Sequence, residues 1–292
     1  MLRIGLVGTQ STHAKAFSTL CNCPDENGKY MYDDVRISAI CGIDDTKEHI
    51  KELAESANIS FVAESPEDLF GKVDAVMFLQ RKGSERIKTV IPFLEKGIPC
   101  WLDKPVCSSK KDLEILTEAV NKYDTLISGG STLRFHKDVI RAKKDIDEGK
   151  FGTVRSGYVN HLADWSSPYD GFFFYAPHAL EIAFAAFGYN PEKVSAIRLD
   201  DQNTNITLRY KDKLVVVSFN ENNERYIIIN GSDGLGENIV MENLSLYKNG
   251  FEEFISDVRR GKTDYGFDKL TAHVRILLAA EKSIQTGKEI DI

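Results

Sequence analysis

Through about residue 125, short apolar runs alternate with amphipathic stretches. Leu2 to Val7 is an apolar run closed by Gly8, and Val35 to Cys41 is β-branched and apolar. Val73 to Leu79, Ile98 to Leu102 and Thr125 to Ser128 repeat the strand-like pattern. Between these runs the spacing predicts helices. Asp44, Asp45 and Thr46 offer capping residues for a helix reaching Ala57, and Ser65-Pro66-Glu67-Asp68 sets a Ser cap before Pro at a first helical position. Ile87, Val90, Ile91 and Leu94 fall at i, i+3, i+4 and i+7 on one apolar face, with Pro92 kinking that helix or standing near its start. Leu113, Leu116 and Val120 mark a further helix after Ser108 and Ser109. Strands joined through such helices predict βαβ units and a parallel sheet.

The pattern then changes. A strand runs from Val154 to Trp165, and several more lie between Val194 and Asn230, joined by Lys211-Asp212-Lys213 and by a turn at Asn220 to Arg225. Short connections of this kind join antiparallel neighbours. Helices are expected at Phe135 to Glu148, Pro177 to Phe187, Phe251 to Arg260 and Phe267 to Thr286. The expected fold is a Rossmann-like α/β domain with a doubly wound parallel sheet over residues 1–127, then an α+β domain with a mainly antiparallel sheet over residues 128–292. Two domains also suit a length of 292 residues. The open face of the second sheet needs a cover, which predicts a homodimer or homotetramer through that domain.

Composition narrows the function. Apolar residues make up 42% and charged residues 28%, as in a globular protein. With 37 Lys and Arg against 44 Asp and Glu, the net charge of −7 argues against a general nucleic-acid binder. The apolar window Phe172 to Phe187 is interrupted by His178 and Glu181, so no membrane span is expected. The chain enters a strand at once from Met1, which predicts no secretory leader and a cytoplasmic location. Five cysteines, an odd number, fit a reducing compartment. Cys21 and Cys23 have no second pair at zinc spacing, so they read as residues near a helix end and no metal site is expected.

Candidate chemistry begins at the turn after the first strand, Gly8-Thr9-Gln10-Ser11-Thr12-His13. A dinucleotide fingerprint places three glycines here, so that backbone can approach a pyrophosphate at a helix N-terminus. Only Gly8 is in place; Gln10 stands at the second position and His13 at the third. Gly8, Thr9, Gln10 and Ser11 are the candidate cofactor contacts. The position of the usual ribose-binding acid is Gly42, and Asp44, two residues on, either contacts the ribose or caps a helix with Asp45.

The segment Trp101-Leu102-Asp103-Lys104-Pro105-Val106 puts a lysine at the C-terminal end of a parallel strand, where such folds bind ligands. With Phe93 to Pro99 before it, Ala119 to Leu126 after it and the ending Ser283 to Lys288, it resembles the E-K-P motif of the glucose-fructose oxidoreductase/inositol dehydrogenase (Gfo/Idh/MocA-like) family. That family pairs the lysine with an Asp-x-x-x-His motif, and here His178 matches the histidine while Phe174 occupies the aspartate position. The family's Thr-Pro pair is replaced by Arg81-Lys82-Gly83. The resemblance therefore implies a divergent member.

It implies, further, an oxidoreductase using NAD or NADP on a CH–OH group of a sugar, polyol or derivative, with Lys104 and His178 as catalytic residues and Lys104 also reaching the cofactor. Tyr175 is either a polar substitute for the missing aspartate or an aromatic packing residue. Glu181 either orients the imidazole or is a surface acid. His161 and Asp164 are candidate substrate contacts on the corresponding family strand, and Arg134 a candidate for an anionic substrate group. His49, His136 and His273 read as ordinary helix residues. Two alternatives stand beside the oxidoreductase: a binding or regulatory protein without turnover, and a lyase or isomerase using a tightly held dinucleotide transiently.

Overall fold

A computed structural model describes residues 1–222, 224–240 and 246–292. The first elements in chain order are β1 (Leu2–Val7), α1 (Thr12–Asn22), β2 (Val35–Cys41), α2 (Lys47–Ser56), β3 (Phe61–Ala63), β4 (Ala75–Phe78), α3 (Gly83–Glu95), β5 (Cys100–Asp103), α4 (Lys110–Tyr123) and β6 (Ile127–Gly130). Then come α5 (Lys137–Asp147), β7 (Val154–Leu162), α6 (Ala176–Phe187), β8 (Lys193–Arg198), β9 (Thr204–Arg209), β10 (Leu214–Asn220), β11 (Tyr226–Gly231) and β12 (Gly234–Val240). The chain closes with α7 (Leu246–Arg260), α8 (Gly266–Leu270), α9 (Ala272–Thr286) and β13 (Ile290–Asp291). Two compact units result: Met1–Gly130 with Tyr247–Phe267, and Ser131–Leu246 with Asp268–Ile292.

The first unit carries six strands in the order β3-β2-β1-β4-β5-β6, and every pairing is parallel. All four residues of β4 and of β5 are buried, as expected of central strands covered on both faces. The strand order reverses between β1 and β4, the switch point at which open α/β sheets bind ligands beyond their carboxyl ends. Phe251 and Phe254 of α7 pack in this core, with ring centroids 5.8 Å from Phe17 and Trp101 respectively. A single cut at residue 127 assigns that helix to the other unit; its apolar face instead serves the parallel sheet.

The second unit has the order β12-β11-β7-β10-β9-β8-β13. The sheet is mixed: β10 pairs with β7 in parallel, and the other pairings are antiparallel. The expected turn at 220–225 includes Asn223, which lies outside the described residues. The strands it joins run in opposite directions but are not neighbours, because β7 lies between them. Two strand spacings, about 10 Å, are within reach of so short a connection. Helix α6 packs on β7 at Gly157, where a Cβ would come within 2.3 Å of the Phe187 ring.

Other boundaries moved for local reasons. Pro66–Leu69 forms a 3-10 turn and not an α-helix, with the Ser65 N–H donating to Asp68 Oδ2 at 2.8 Å. Pro92 stands inside α3, well away from its start. The helix expected at Phe267 to Thr286 is split into α8 and α9, with Thr271 at the break. The two- and three-residue strands β13 and β3 are too short to show a period in the sequence.

Candidate active site

In the first unit, the turn after β1 is fixed by Gly8. Its φ is 94°, and a Cβ there would lie 2.6 Å from the backbone nitrogen of Gln80, so only glycine fits. Ser11 caps α1 by accepting from the His13 N–H at 3.2 Å. The buried Thr9 hydroxyl donates to Asp45, whose Oδ2 also lies 2.7 Å from His49 Nδ1, and the Thr46 N–H donates to Asp45 Oδ1 at 2.8 Å. Burial works to raise the Asp45 carboxyl, but the Thr9 and His49 hydrogen bonds outweigh it and hold the group below its ordinary range. Asp44, in contrast, is exposed at φ 51°. It is Asp45 that meets the turn.

A cavity of about 470 Å³ opens beside this turn, lined by Thr9, Gln10, Ser11 and Thr12, by Lys15 of α1, by His49, Glu52, Leu53 and Ser56 of α2, and by Arg81. The volume is within the usual range of small-molecule sites. His49 is thus more than an ordinary helix residue.

Lys104 follows the last residue of β5 and is 6% exposed, with a cis bond to Pro105. Burial pushes its ammonium down from 10.5 to about 8, with Asp103 opposing the fall and Arg86 and Arg81 adding to it. The fully buried Arg86 guanidinium donates to the carbonyls of Gln80, Asp103 and Pro105, tying the segment after β4 to the segment after β5. Asp103 Oδ2 lies 2.7 Å from His13 Nδ1. Burial alone would raise the Asp103 carboxyl; His13, Lys104 and Arg86 together hold it below the ordinary carboxylate range. His13 is therefore the partner of the residue before Lys104, and its ring meets Tyr247 at 5.1 Å between centroids.

In the second unit, His178 sits in the first turn of α6 with Nδ1 2.6 Å from Ser131 Oγ. Its ring stacks on His161 at 5.5 Å and 22°. His161 Nδ1 is 2.8 Å from the Leu162 carbonyl, an acceptor only, so that nitrogen carries the proton. Tyr175 occupies the position before α6, its ring 6.3 Å from that of His178, and Phe174 packs between Tyr169 and Tyr175 at 4.9 and 4.6 Å. Asp164 lies beyond the end of β7 and accepts from the Ser166 N–H at 2.8 Å. Arg134 is buried, donates to the Ser131 carbonyl at 3.2 Å and lies 4.2 Å from the Phe135 ring centroid.

Glu181 is not a surface acid: it is fully buried, 3.1 Å from His273 Nδ1. His273 is correspondingly half of a buried pair, and His136 is the N-cap of α5. Among the described residues no group of three or more His, Cys, Asp or Glu could hold a metal ion. No helix among them is long and apolar enough to cross a membrane. Cys21 is buried and Cys23 caps the end of α1, as expected.

Motif position does not single out Asp103, Arg86 or Ser131, and it marks His13 only as a departure from the fingerprint. The available signal was double: a bulky residue at the third fingerprint position and an acid one methylene shorter than the glutamate of E-K-P.

No family model and no curated protein sequence matches the chain. Solved structures match over almost its whole length. An oxidoreductase from Agrobacterium radiobacter, in complex with NAD+, L-tartaric acid and magnesium, is 16% identical with a TM-score of 0.81, over 99% of this chain and 98% of that one. A scyllo-inositol dehydrogenase from Lactobacillus casei with bound NAD(H) and scyllo-inositol is 14% identical with a TM-score of 0.82, over 100% and 99%. A myo-inositol 2-dehydrogenase from Lactobacillus plantarum gives the same identity, TM-score and coverage. The chain shares the fold of these proteins.

Proposed function

We propose that this chain, built on the fold of inositol dehydrogenases, is an NAD(P)-dependent oxidoreductase acting on a CH–OH group of a polyol, sugar or derivative. The observation that carries the reading is Lys104: a buried ammonium at the carboxyl end of β5, in a parallel sheet whose order reverses at β1 and β4. The fit for a dinucleotide rests on the cavity beside the Gly8 turn, where Thr9, Ser11 and Thr12 line the wall. A nicotinamide dinucleotide held there would supply hydride exchange at the carbinol carbon. Lys104 steadies the developing negative charge on the substrate oxygen. His178 exchanges the hydroxyl proton at Nε2, while its Nδ1 is held by Ser131, which fixes the ring. Tyr175 substitutes for the family aspartate as a polar neighbour, and His161, Asp164 and Arg134 are proposed as substrate contacts. Tyr158 and Tyr226, stacked at 5.8 Å, and the 76%-exposed Ile197 support a homo-oligomer through the second sheet.

A panel of inositols, other polyols and sugar acids, followed by nicotinamide absorbance, tests the reading. Turnover with at least one supports it; dinucleotide that stays bound through purification without net turnover favours a lyase or isomerase. The absence of both, together with no nucleotide binding, favours a binding protein.

Lys104 also makes the proposed activity pH-dependent. Its charged form is lost as pH rises through about 8, so kcat should fall above that pH. Stability moves the other way. A lysine whose folded pKa lies below 10.5 costs stability while charged; the penalty, about 3 kcal/mol at most, is full below pH 8 and disappears toward pH 10.5. Lys104→Met should therefore be the more stable protein at pH 7 and lose that advantage at high pH, as read by urea melts. An advantage independent of pH would contradict the assignment.

Gln10 stands in the cavity wall where the fingerprint has hydrogen. Gln10→Gly should leave nucleotide affinity unchanged or improve it, because the backbone then approaches more closely. A loss of about tenfold or more would show the amide to be a required ligand.

A further inference from the structure

The cavity beside the Gly8 turn carries a charge pattern that the fold alone does not require. Lys15 and Arg81 line it with the imidazole of His49, and Glu52 is the opposing carboxylate among its lining residues. Lys15 is exposed on α1 and Arg81 is half-buried. A dinucleotide with an unmodified adenosine ribose wants a carboxylate at the end of β2 to accept from the ribose hydroxyls. That end is Gly42, which has no side chain to offer, and Ile50 Cδ1 of α2 fills the place of its Cβ, 2.2 Å from where that atom would stand. The nearest alternative, Asp45, is engaged at both oxygens: Thr9 and His49 meet Oδ2, and the Thr46 N–H meets Oδ1. Asp44 is turned to solvent. The end of β2 offers no acid, and two cationic side chains and an imidazole stand in the wall against the single carboxylate of Glu52.

We infer that the cavity takes a 2′-phosphorylated dinucleotide, NADP(H), in preference to NAD(H), with Lys15, His49 and Arg81 as the groups facing the added phosphate. A phosphate monoester supplies the acceptor oxygens and negative charge that these donors match, and it makes no demand for a ribose-binding acid. The inference rests on the dinucleotide reading above and goes beyond it in naming the cofactor class. The sequence could not show it, because Lys15, His49 and Arg81 come from α1, α2 and the segment after β4.

The test is equilibrium binding of NADPH, NADH and 2′,5′-ADP to the full chain, by fluorescence and calorimetry, with no substrate present. NADPH should bind about tenfold or more tightly than NADH, and its affinity should fall more steeply with salt. Lys15→Glu, on an exposed helix position, and Arg81→Ala should each weaken NADPH and 2′,5′-ADP by a larger factor than NADH. NADH binding as tightly as NADPH, or equal losses for both in the variants, would overturn the inference and leave the oxidoreductase reading intact. If none of the three ligands binds, the dinucleotide reading itself fails and takes the inference with it.

Discussion

His178→Asn should lower kcat by about 10²- to 10⁴-fold, with a much smaller rise in KM. Asparagine can keep a hydrogen bond to Ser131 but cannot take up the substrate proton near neutral pH. Lys104→Ala should produce a loss of similar size and weaken the ordering of the nicotinamide as well. In the double variant, a loss smaller than the product of the two single losses is the result expected if both groups act in one step, and a full product is the result expected if they act independently. The competing view makes His178 a packing residue, stacked on His161 at 5.5 Å. In that case His178→Asn would lower the melting temperature and spare turnover. Measuring both quantities on the same preparation separates the two.

Asp103→Ala should destabilise the first unit by about 3–5 kcal/mol, the usual cost of removing one partner from a buried charged cluster. Asp103 is 2% exposed, 2.7 Å from His13 Nδ1, and flanked by the buried Lys104 and Arg86, so its loss strands positive charge in the interior. Because its folded carboxyl is held below the ordinary range, the stabilisation is complete above that range and is lost as pH falls through the folded value. The gap between parent and variant in urea melts should therefore be widest near neutrality and close in acid. His13→Ala in the same background should cost less than it does in the parent, because its partner is already gone. A loss below about 1 kcal/mol for Asp103→Ala would mean that solvent reaches the cluster and screens it.

The sequence made the larger elements legible because period-two and period-3.6 patterns report burial directly: β1, β2, α3 and α6 lie where their apolar residues put them. Helix α7 was legible as a helix but not as a part of the first unit, since an apolar face does not say which sheet it covers. The parallel pairing of β10 with β7 was hidden for a related reason: a short turn reports direction, not adjacency. At the candidate site, Gly8, Lys104 and His178 could be named from motif position. The pairs His13–Asp103, His178–Ser131 and Glu181–His273 could not, because each joins residues far apart in the chain. A side chain's type suggests what it can bond, but only the fold supplies its partner.

The proposed activity requires the first unit to hold a nicotinamide dinucleotide next to Lys104. The most direct measurement is the fluorescence of reduced nicotinamide dinucleotide titrated with the parent protein and with Lys104→Met. The parent should give a saturable change accompanied by a rise in melting temperature, and Lys104→Met should bind more weakly with an altered nicotinamide signal. No saturable change and no thermal shift in the parent at millimolar NADPH or NADH would contradict it.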